Sequence, residues 1–316
     1  MTTRRPPLSC ILVTPARNEE KFIEKTIQSM VSQTVRPVRW VIVNDGSTDR
    51  TAAIARRYAE MHGWIEVIDM PEHRDRSFAA KAQCFDAGYA EVKAIDHEIL
   101  GNLDADISFE SDYLEFLLER FAEDPRLGVA GTIFVEGDGY RSDTDSFEGR
   151  THVAGGCQLF RRQCFEEIGG YIRNKAGGID WIAVTTARMR GWRTRSFREK
   201  VFFHHRSLGT ADRGILASRF AYGERDYYVG GHPVWEMFRT TYQMSKRPYV
   251  LGGLALGLGY TWGALKRAKR PVSGEFVRFH RQEQMQKLAA ILKSLVTFKP
   301  IDNFEVMPIQ TDVKKR

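Results

Sequence analysis

Apolar positions along the first hundred residues follow two alternating rhythms. Leu8 to Thr14 is an apolar run ending at Pro15, and Val38 to Val43 is another, ending in Asn44-Asp45-Gly46-Ser47. Runs of this length bounded by turn residues predict strands buried on both faces, as in a parallel sheet. Between them, Phe22, Ile23, Ile27, Met30 and Val31 recur at helical spacing over Glu19 to Val31. After the second run Ala52, Ile54, Ala55 and Tyr58 do the same over Asp49 to Met61. Trp64 to Ile68 then predicts a third strand, Ser77 to Ala90 a helix, Glu98 to Leu103 a fourth strand and Ser111 to Ala122 another helix. Strand and helix in turn predict a doubly wound α/β sheet, mostly parallel, whose ligands bind beyond the C-terminal ends of the strands.

After Leu127 to Val135 the rhythm loosens, and the Gly/Asp/Ser-rich stretch Glu136 to Arg150 predicts a loop able to act as a lid. Residues 153–161 predict a strand, Arg162 to Ile168 a short helix, Asp180 to Arg190 a helix and Thr194 to Phe203 a strand. From Arg213 onward the chain reads as helical, so residues 207–316 form a helical extension of the α/β domain 1–206. Within it, Tyr249 to Leu265 is a 17-residue segment without a charge, carrying Gly253-x-x-x-Gly257 and Gly259-x-x-x-Gly263. At about 1.5 Å per residue it reaches only about 25 Å, short of the roughly 30 Å of a bilayer's hydrocarbon. Lys246 and Arg247 precede it and Lys266, Arg267, Lys269 and Arg270 follow, which favours both ends on the cytosolic side. The segment reads as an in-plane or shallowly inserted helix; a buried helix packed through its glycines is the alternative, ahead of a true span.

Composition changes this picture in one respect. The 316 residues are 42% apolar and 28% charged, ordinary for a globular protein. The net charge of +7, however, divides into −9 for residues 1–150 and +16 for residues 151–316. An acidic half joined to a basic half suits a polyanion, an anionic membrane surface or a phosphate-bearing small molecule. Cys10, Cys84, Cys157 and Cys164 have neither Cys-x-x-Cys nor zinc spacing, and the N-terminus has no adequate apolar core for a leader, so a reducing cytosol is expected. There is no P-loop, no Gly-x-Gly-x-x-Gly after a strand, no Gly-x-Ser-x-Gly and no His-Glu-x-x-His. Kinase, dehydrogenase, serine hydrolase and zincin chemistries lose their main support.

Acidic residues at strand ends remain. Asp45 follows the second strand, where a carboxylate can accept hydrogen bonds from a base or ribose while Ser47 or Thr48 caps the next helix. Asp104-Ala105-Asp106 follows the fourth strand. On extended backbone both carboxylates would point the same way, about 7 Å apart at their Cα atoms, and would suit Mg²⁺ or Mn²⁺ bridging a diphosphate. At this point the chain resembles family 2 glycosyltransferases with the GT-A fold. The resemblance is carried in order by Thr14-Pro15-Ala16-Arg17-Asn18-Glu19-Glu20, Val41 to Asp49, Lys81-Ala82 with Asp86-Ala87-Gly88, and Leu103-Asp104-Ala105-Asp106. It continues through Gly155-Gly156, Arg161-Arg162, Gly169-Gly170-Tyr171 and Gly178-Ile179-Asp180 with Gly191-Trp192, and thins after Arg206.

What the resemblance implies is an inverting transfer of a sugar from a nucleotide-diphosphate donor, with residues 1–110 as the nucleotide-binding half and 111–206 as the acceptor-binding half. Pro15, Ala16, Arg17 and Glu19 would line the base and ribose site, Arg17 standing where a Tyr is frequent; Asp45 would bind the base. Asp104 would approach the ribose or the metal, and Asp106 would ligate the metal. Lys81 is suited to the donor's phosphate or sugar, or is a solvated helix lysine. Inversion needs a base opposite the leaving diphosphate, and Asp180 matches the Asp of the family's Glu-Asp pair, with Ile179 in place of the Glu. Its alternative role is to cap the following helix. His204, His205 and Arg206 are suited to the metal or the departing diphosphate, His205 resembling the family's later histidine; which imidazole points inward stays open.

The sequence-level expectation is thus a glycosyltransferase using Mg²⁺ or Mn²⁺ and a nucleotide-diphosphate sugar, UDP being the family's commonest carrier. It would be peripheral to the cytoplasmic, inner face of a bacterial plasma membrane and would extend a saccharide or lipid-linked saccharide of a surface polysaccharide; the +16 half and the apolar C-terminal segment point to an anionic membrane surface. Two rivals are weaker. A sugar nucleotidylyltransferase would want a glycine-rich loop, and Thr14 to Glu20 has no glycine. A non-enzymatic nucleic-acid or membrane-binding protein would use Tyr222, Tyr227, Tyr228, Trp235 and Phe238 among the arginines, yet leaves the acidic strand ends unexplained, so no nucleic acid is expected.

Overall fold

The computed structural model describes residues 7–71, 78–137, 139–143, 149–174, 177–206, 214–267 and 269–297. They divide into two compact units, the first holding described residues 7–174 and 179–206, the second 177–178 and 214–297. The first unit runs β1 (Cys10–Ala16), α1 (Ile23–Val31), β2 (Arg39–Asn44), α2 (Thr51–Met61), β3 (Ile65–Asp69), α3 (Phe78–Val92), β4 (Ile99–Leu103), β5 (Ile107–Phe109), α4 (Tyr113–Glu123), β6 (Leu127–Glu136), β7 (Cys157–Arg161), α5 (Arg162–Ile168), α6 (Ile179–Met189) and β8 (Arg193–His204). The second contains α7 (Ile215–Tyr228), α8 (Pro233–Met244), α9 (Leu251–Leu265) and α10 (Gly274–Thr297). Of the expected lid loop, residues 138 and 144–148 lie outside the described residues, as do 207–213, 268 and 298–316 of the C-terminal extension.

Eight strands form one sheet in the order β3-β2-β1-β4-β7-β6-β8-β5. The pairs β1–β2, β2–β3, β1–β4 and β6–β8 are parallel, and β4–β7, β6–β7 and β5–β8 antiparallel. Strand alternation sorts the apolar side chains onto two faces. Leu12, Trp40 and Ile42 join the core cluster that includes Ile23, Ile27, Ala55 and Leu117 of α1, α2 and α4. Ile11, Val13, Val41 and Val43 join a second one with Phe85, Phe165 and Val184 of α3, α5 and α6. Continuous apolar strands are therefore required, since both faces are covered. Helix α3 lies close to the sheet because Gly88 has no side chain: a β-carbon there would fall 2.6 Å from Val13 and 2.7 Å from Val43.

Directions decide where the chemistry can gather. The C-terminal ends of β1, β2, β4, β6 and β8 share one rim with the N-terminal ends of β5 and β7, as the pairings Ile107↔His204 and Leu103↔Cys157 show. Strand β5 has only three residues and carries no periodic signal of its own, so it is absent from the sequence-level reading.

In the second unit α9 packs against α7 and α8. The α7 and α9 backbones touch through glycines: a methyl on Gly223 would drive into the Leu256 carbonyl, and one on Gly259 into the Phe220 carbonyl. The Gly-x-x-x-Gly pattern thus serves close helix packing, while the side of α9 bearing Leu251, Leu254, Leu258, Trp262 and Leu265 is exposed. Among the described residues no helix is long and apolar enough to cross a membrane.

Candidate active site

The rim collects its polar residues from five strand ends. At the end of β1 come Pro15, Ala16, Arg17 and Glu19; Arg17 Nη1 stands 3.6 Å from Asp45 Oδ2, beyond β2. The Asp45 amide donates to the Ala16 carbonyl at 2.8 Å, which fixes the two chain ends side by side. Asp45 is buried. Burial and the hydrogen bond to Asp45 push the Cys84 thiol up, leaving it an inert neighbour of the carboxylate.

The stretch after β2 is held differently from the expected cap. Ser47 Oγ accepts from the Asn18 amide at 3.1 Å, and Asn18 Oδ1 accepts from the Thr48 amide at 2.9 Å, tying the loop to β1. Neither Ser47 nor Thr48 caps α2. Asp49 holds its entrance instead, accepting from the Thr51 amide at 3.0 Å and from the Glu20 amide at 3.1 Å.

Asp104 and Asp106 do not lie on extended backbone. Residues 105 and 106 form a turn between β4 and β5, and the two carboxylates engage different neighbours. Asp104 Oδ1 accepts from Lys81 Nζ at 2.6 Å and from Asn102 Nδ2 at 3.3 Å. Asp106 faces β8: its Oδ1 is 3.6 Å from His204 Nε2, and its Oδ2 is 3.4 Å from Arg206 Nε. Arg206 also grips Glu19 and lies over Phe22. Main chain fixes the turn at both ends, through Asp104 N to Gly156 O at 2.8 Å and His205 N to Asp106 O at 2.9 Å.

Asp180, in the first turn of α6, reaches the same place through one amide, accepting from Gly155 N at 3.1 Å. The Gly155 carbonyl accepts from Asn102, which also serves Asp104, so one chain of contacts joins Lys81, Asp104 and Asp180. Charges agree with this grouping. Burial alone would lower the Lys81 pKa, yet the attraction of Asp104, Asp180 and Asp106 raises it. Asp104 is itself raised, by burial and by the Asp106 charge, against the pull of Lys81. With Arg17 and Arg206, Lys81 makes three cations against the six carboxylates of Glu19, Asp45, Asp104, Asp106, Glu136 and Asp180, so the rim stays short of positive charge.

The two histidines point apart. His204 lies between carboxylates, its Nδ1 3.7 Å from Glu136 Oε1, and that nitrogen is buried without a hydrogen bond. His205 instead meets Ser108 Oγ at 2.9 Å and stacks on Phe22. Burial and the Lys25 charge hold its pKa down. His204 is thus the imidazole that faces Asp106 and Glu136, while His205, expected as the metal ligand, faces Ser108 and Phe22. Sequence reading also missed Glu136, taken as the first residue of a loop; it ends β6, is buried, and pairs in register with His204. The signal was available in strand alternation, because Phe202 and His204, two residues apart, share a face.

No three His, Cys, Asp or Glu side chains among the described residues gather closely enough to hold a metal by themselves. The donors facing each other are one carboxylate, Asp106, and one imidazole, His204. Oxygen and imidazole ligands suit Mn²⁺ or Mg²⁺, and ions that take only one or two protein ligands complete their shell with substrate phosphates and water. The residues fit a cation of that kind.

Comparison with known proteins places this geometry. The family model described as glycosyl transferase family 2 matches residues 11–169. A curated relative, 4,4'-diaponeurosporenoate glycosyltransferase of Staphylococcus aureus, is 34% identical over 114 residues, covering 36% of this chain and only 28% of the relative's length. Among solved structures, a mannosyltransferase from Pyrobaculum calidifontis in complex with GDP-Man and Mn²⁺ superposes with TM-score 0.56 at 20% identity, over 93% of this chain and 88% of that one. Residues 1–349 of TarS from Staphylococcus aureus, in complex with UDP-GlcNAc, give 0.53 at 13% identity, over 92% of both chains. At such identities the likeness is one of fold, the GT-A fold of glycosyltransferases.

Proposed function

This chain belongs to glycosyl transferase family 2, and from that membership we propose that it transfers a sugar from a nucleotide-diphosphate donor to an acceptor hydroxyl with inversion. The observation that carries the reading is the convergence at one rim of Asp45, Asp104 and Asp106 with Asp180, the last linked through the Gly155 amide. Nucleotides bind at this edge of open α/β sheets. Arg17 and Asp45, with Pro15, Ala16 and Glu19, hold base and ribose. Lys81 and Arg206 supply cations for the diphosphate, and a rim short of positive charge is one that a cation-bearing donor completes.

Asp106 and His204 would hold Mg²⁺ or Mn²⁺, which when bound neutralises charge on the departing diphosphate. Glu136 stands behind His204, its Oε1 3.7 Å from Nδ1, where its charge favours a proton on that nitrogen and leaves Nε2 toward Asp106. Asp180 accepts the proton of the acceptor hydroxyl as its oxygen attacks the anomeric carbon; a single displacement from that side inverts the centre. The acceptor, in this reading, is a saccharide or lipid-linked saccharide at the cytosolic face of a membrane, and UDP the carrier; the basic C-terminal half supports the membrane setting.

A thermal-shift panel of UDP, GDP, CDP and dTDP sugars with and without Mn²⁺ tests this. One nucleotide sugar should raise the melting temperature of the wild type, with a metal-dependent part that Asp106→Ala abolishes. If no nucleotide sugar shifts the wild type with or without Mn²⁺, the function is wrong.

A further inference from the structure

We propose that one face of α9 is a bilayer-docking surface that lies in the plane of an anionic membrane and enters its headgroup boundary without crossing it. The helix is apolar all round, yet its two sides have different fates. Gly252, Gly253, Leu256, Gly259 and Gly263 are buried. Leu251, Leu254, Leu258, Trp262 and Leu265 recur at three- and four-residue spacing on the opposite side and are exposed. The Thr261 hydroxyl beside this stripe is satisfied by the Gly257 carbonyl at 2.8 Å and so brings no unpaired donor into lipid.

Glycine contact makes the stripe a fixed ridge. With α7 and α9 touching backbone to backbone, α9 cannot turn its leucines inward by rolling. Its 15 residues span about 22 Å, too short for a hydrocarbon core of roughly 30 Å. Both ends carry the chemistry of a headgroup layer. Lys246 stands over the Tyr242 ring at 5.3 Å and Lys266 over the Trp262 ring at 4.8 Å, pairing a cation with an interfacial aromatic at each end.

Charge selects the occupant. Between residues 246 and 270 there are six Lys or Arg and no Asp or Glu, although Lys266 also reaches Glu224 at 3.7 Å. A second copy of the same face would bring like charge against like charge, whereas anionic headgroups complement it.

This deepens the membrane setting of the proposed function but is independent of its donor chemistry, so the test is read without nucleotide sugar. Full-length protein is floated with phosphatidylcholine vesicles, with and without phosphatidylglycerol, at low and high salt. Binding should require phosphatidylglycerol and weaken with salt. Leu258→Asp should lower it at least about tenfold with an unchanged melting temperature, while Leu258→Phe retains it. Brominated lipid should quench a tryptophan signal that Trp262→Phe removes. Three results overturn the proposal: no binding to anionic vesicles, binding of Leu258→Asp equal to wild type, or a wild-type dimer on size exclusion that Leu258→Asp dissociates. None of these bears on the nucleotide-sugar panel, and a failed panel leaves this surface standing.

Discussion

Gly155→Ala adds a single methyl group where the main chain meets the Asp180 carboxylate. A β-carbon at 155 would lie 2.8 Å from Asp180 Oδ2, 2.9 Å from its β-carbon and 3.0 Å from its γ-carbon. Relaxed contacts to carbon begin near ~3.5 Å, so something must move by roughly 0.6 Å. Asp180 sits in the first turn of a helix whose next turns carry the buried Ile182, Ala183 and Val184, so its backbone resists and the carboxylate yields. A misplacement of about 1 Å at a reacting group costs about 10²-fold in rate. The expected fall in kcat is therefore about 10- to 10²-fold, with donor affinity unchanged because the three atoms nearest the new methyl all belong to Asp180. Overpacking of this size costs about 1–3 kcal/mol of stability. The assay is release of nucleoside diphosphate at saturating acceptor, beside donor titration and melting temperature. Gly63→Ala is the control, since a methyl there meets open space. A folded Gly155→Ala enzyme with wild-type kcat would refute the positional argument, and a folded Asp180→Asn enzyme with full transfer would remove Asp180 from its role.

Two further outcomes follow from the rim. His204→Ala should weaken Mn²⁺-dependent donor binding about tenfold or more, while His205→Ala leaves it within about threefold, measured by calorimetry; the reverse order would make His205 the inward imidazole. Asp49→Asn should cost about 1 kcal/mol at neutral pH, the usual loss at a helix entrance. Burial opposes ionisation of Asp49, but the Thr51 hydroxyl and the Thr51 and Glu20 amides outweigh it and hold its pKa below the ordinary 3.8. The stabilisation is therefore complete above that value and is lost as pH falls through the lower folded one. Urea midpoints of wild type and variant should begin to converge once pH falls below 3.8 and meet below the lower folded value, and a gap that does not narrow as pH falls sinks the assignment.

Why some of this was readable and some not comes down to range. The strands carrying Ile11 to Val13 and Trp40 to Val43 were legible because burial on both faces leaves an unbroken apolar run. Asp45, Asp104 and Asp106 were legible as a group because strand ends in a wound sheet share one rim. What depends on pairing was not. The short strand Ile107–Phe109 exists because β8 is there to receive it, and that partner lies almost a hundred residues away. The same pairing bends Asp104 and Asp106 apart, against the extended-backbone expectation. Ending the last strand at Phe203 concealed that it runs through His204, which sets that imidazole against Asp106 and pairs its residue with Glu136. For Tyr249 to Leu265 the buried reading describes the glycine side of α9, while the leucine side is exposed.

The main chain of the turn carrying Asp104 and Asp106 is fastened by the peptides of Gly156 and His205 and by the Thr26 hydroxyl, which lies 2.9 Å from the Ala105 carbonyl and 2.6 Å from that of Ile107. Fastening of the main chain is blind to what hangs from the α-carbons of 104 and 106. Refitting position 106 with a neutral or longer group would, under the proposed metal role of Asp106, change the ion demanded there while the seat stayed where it is. The scaffold thus separates the address of the reaction from its reagents, which makes this corner a place to reprogram chemistry without redesigning the fold.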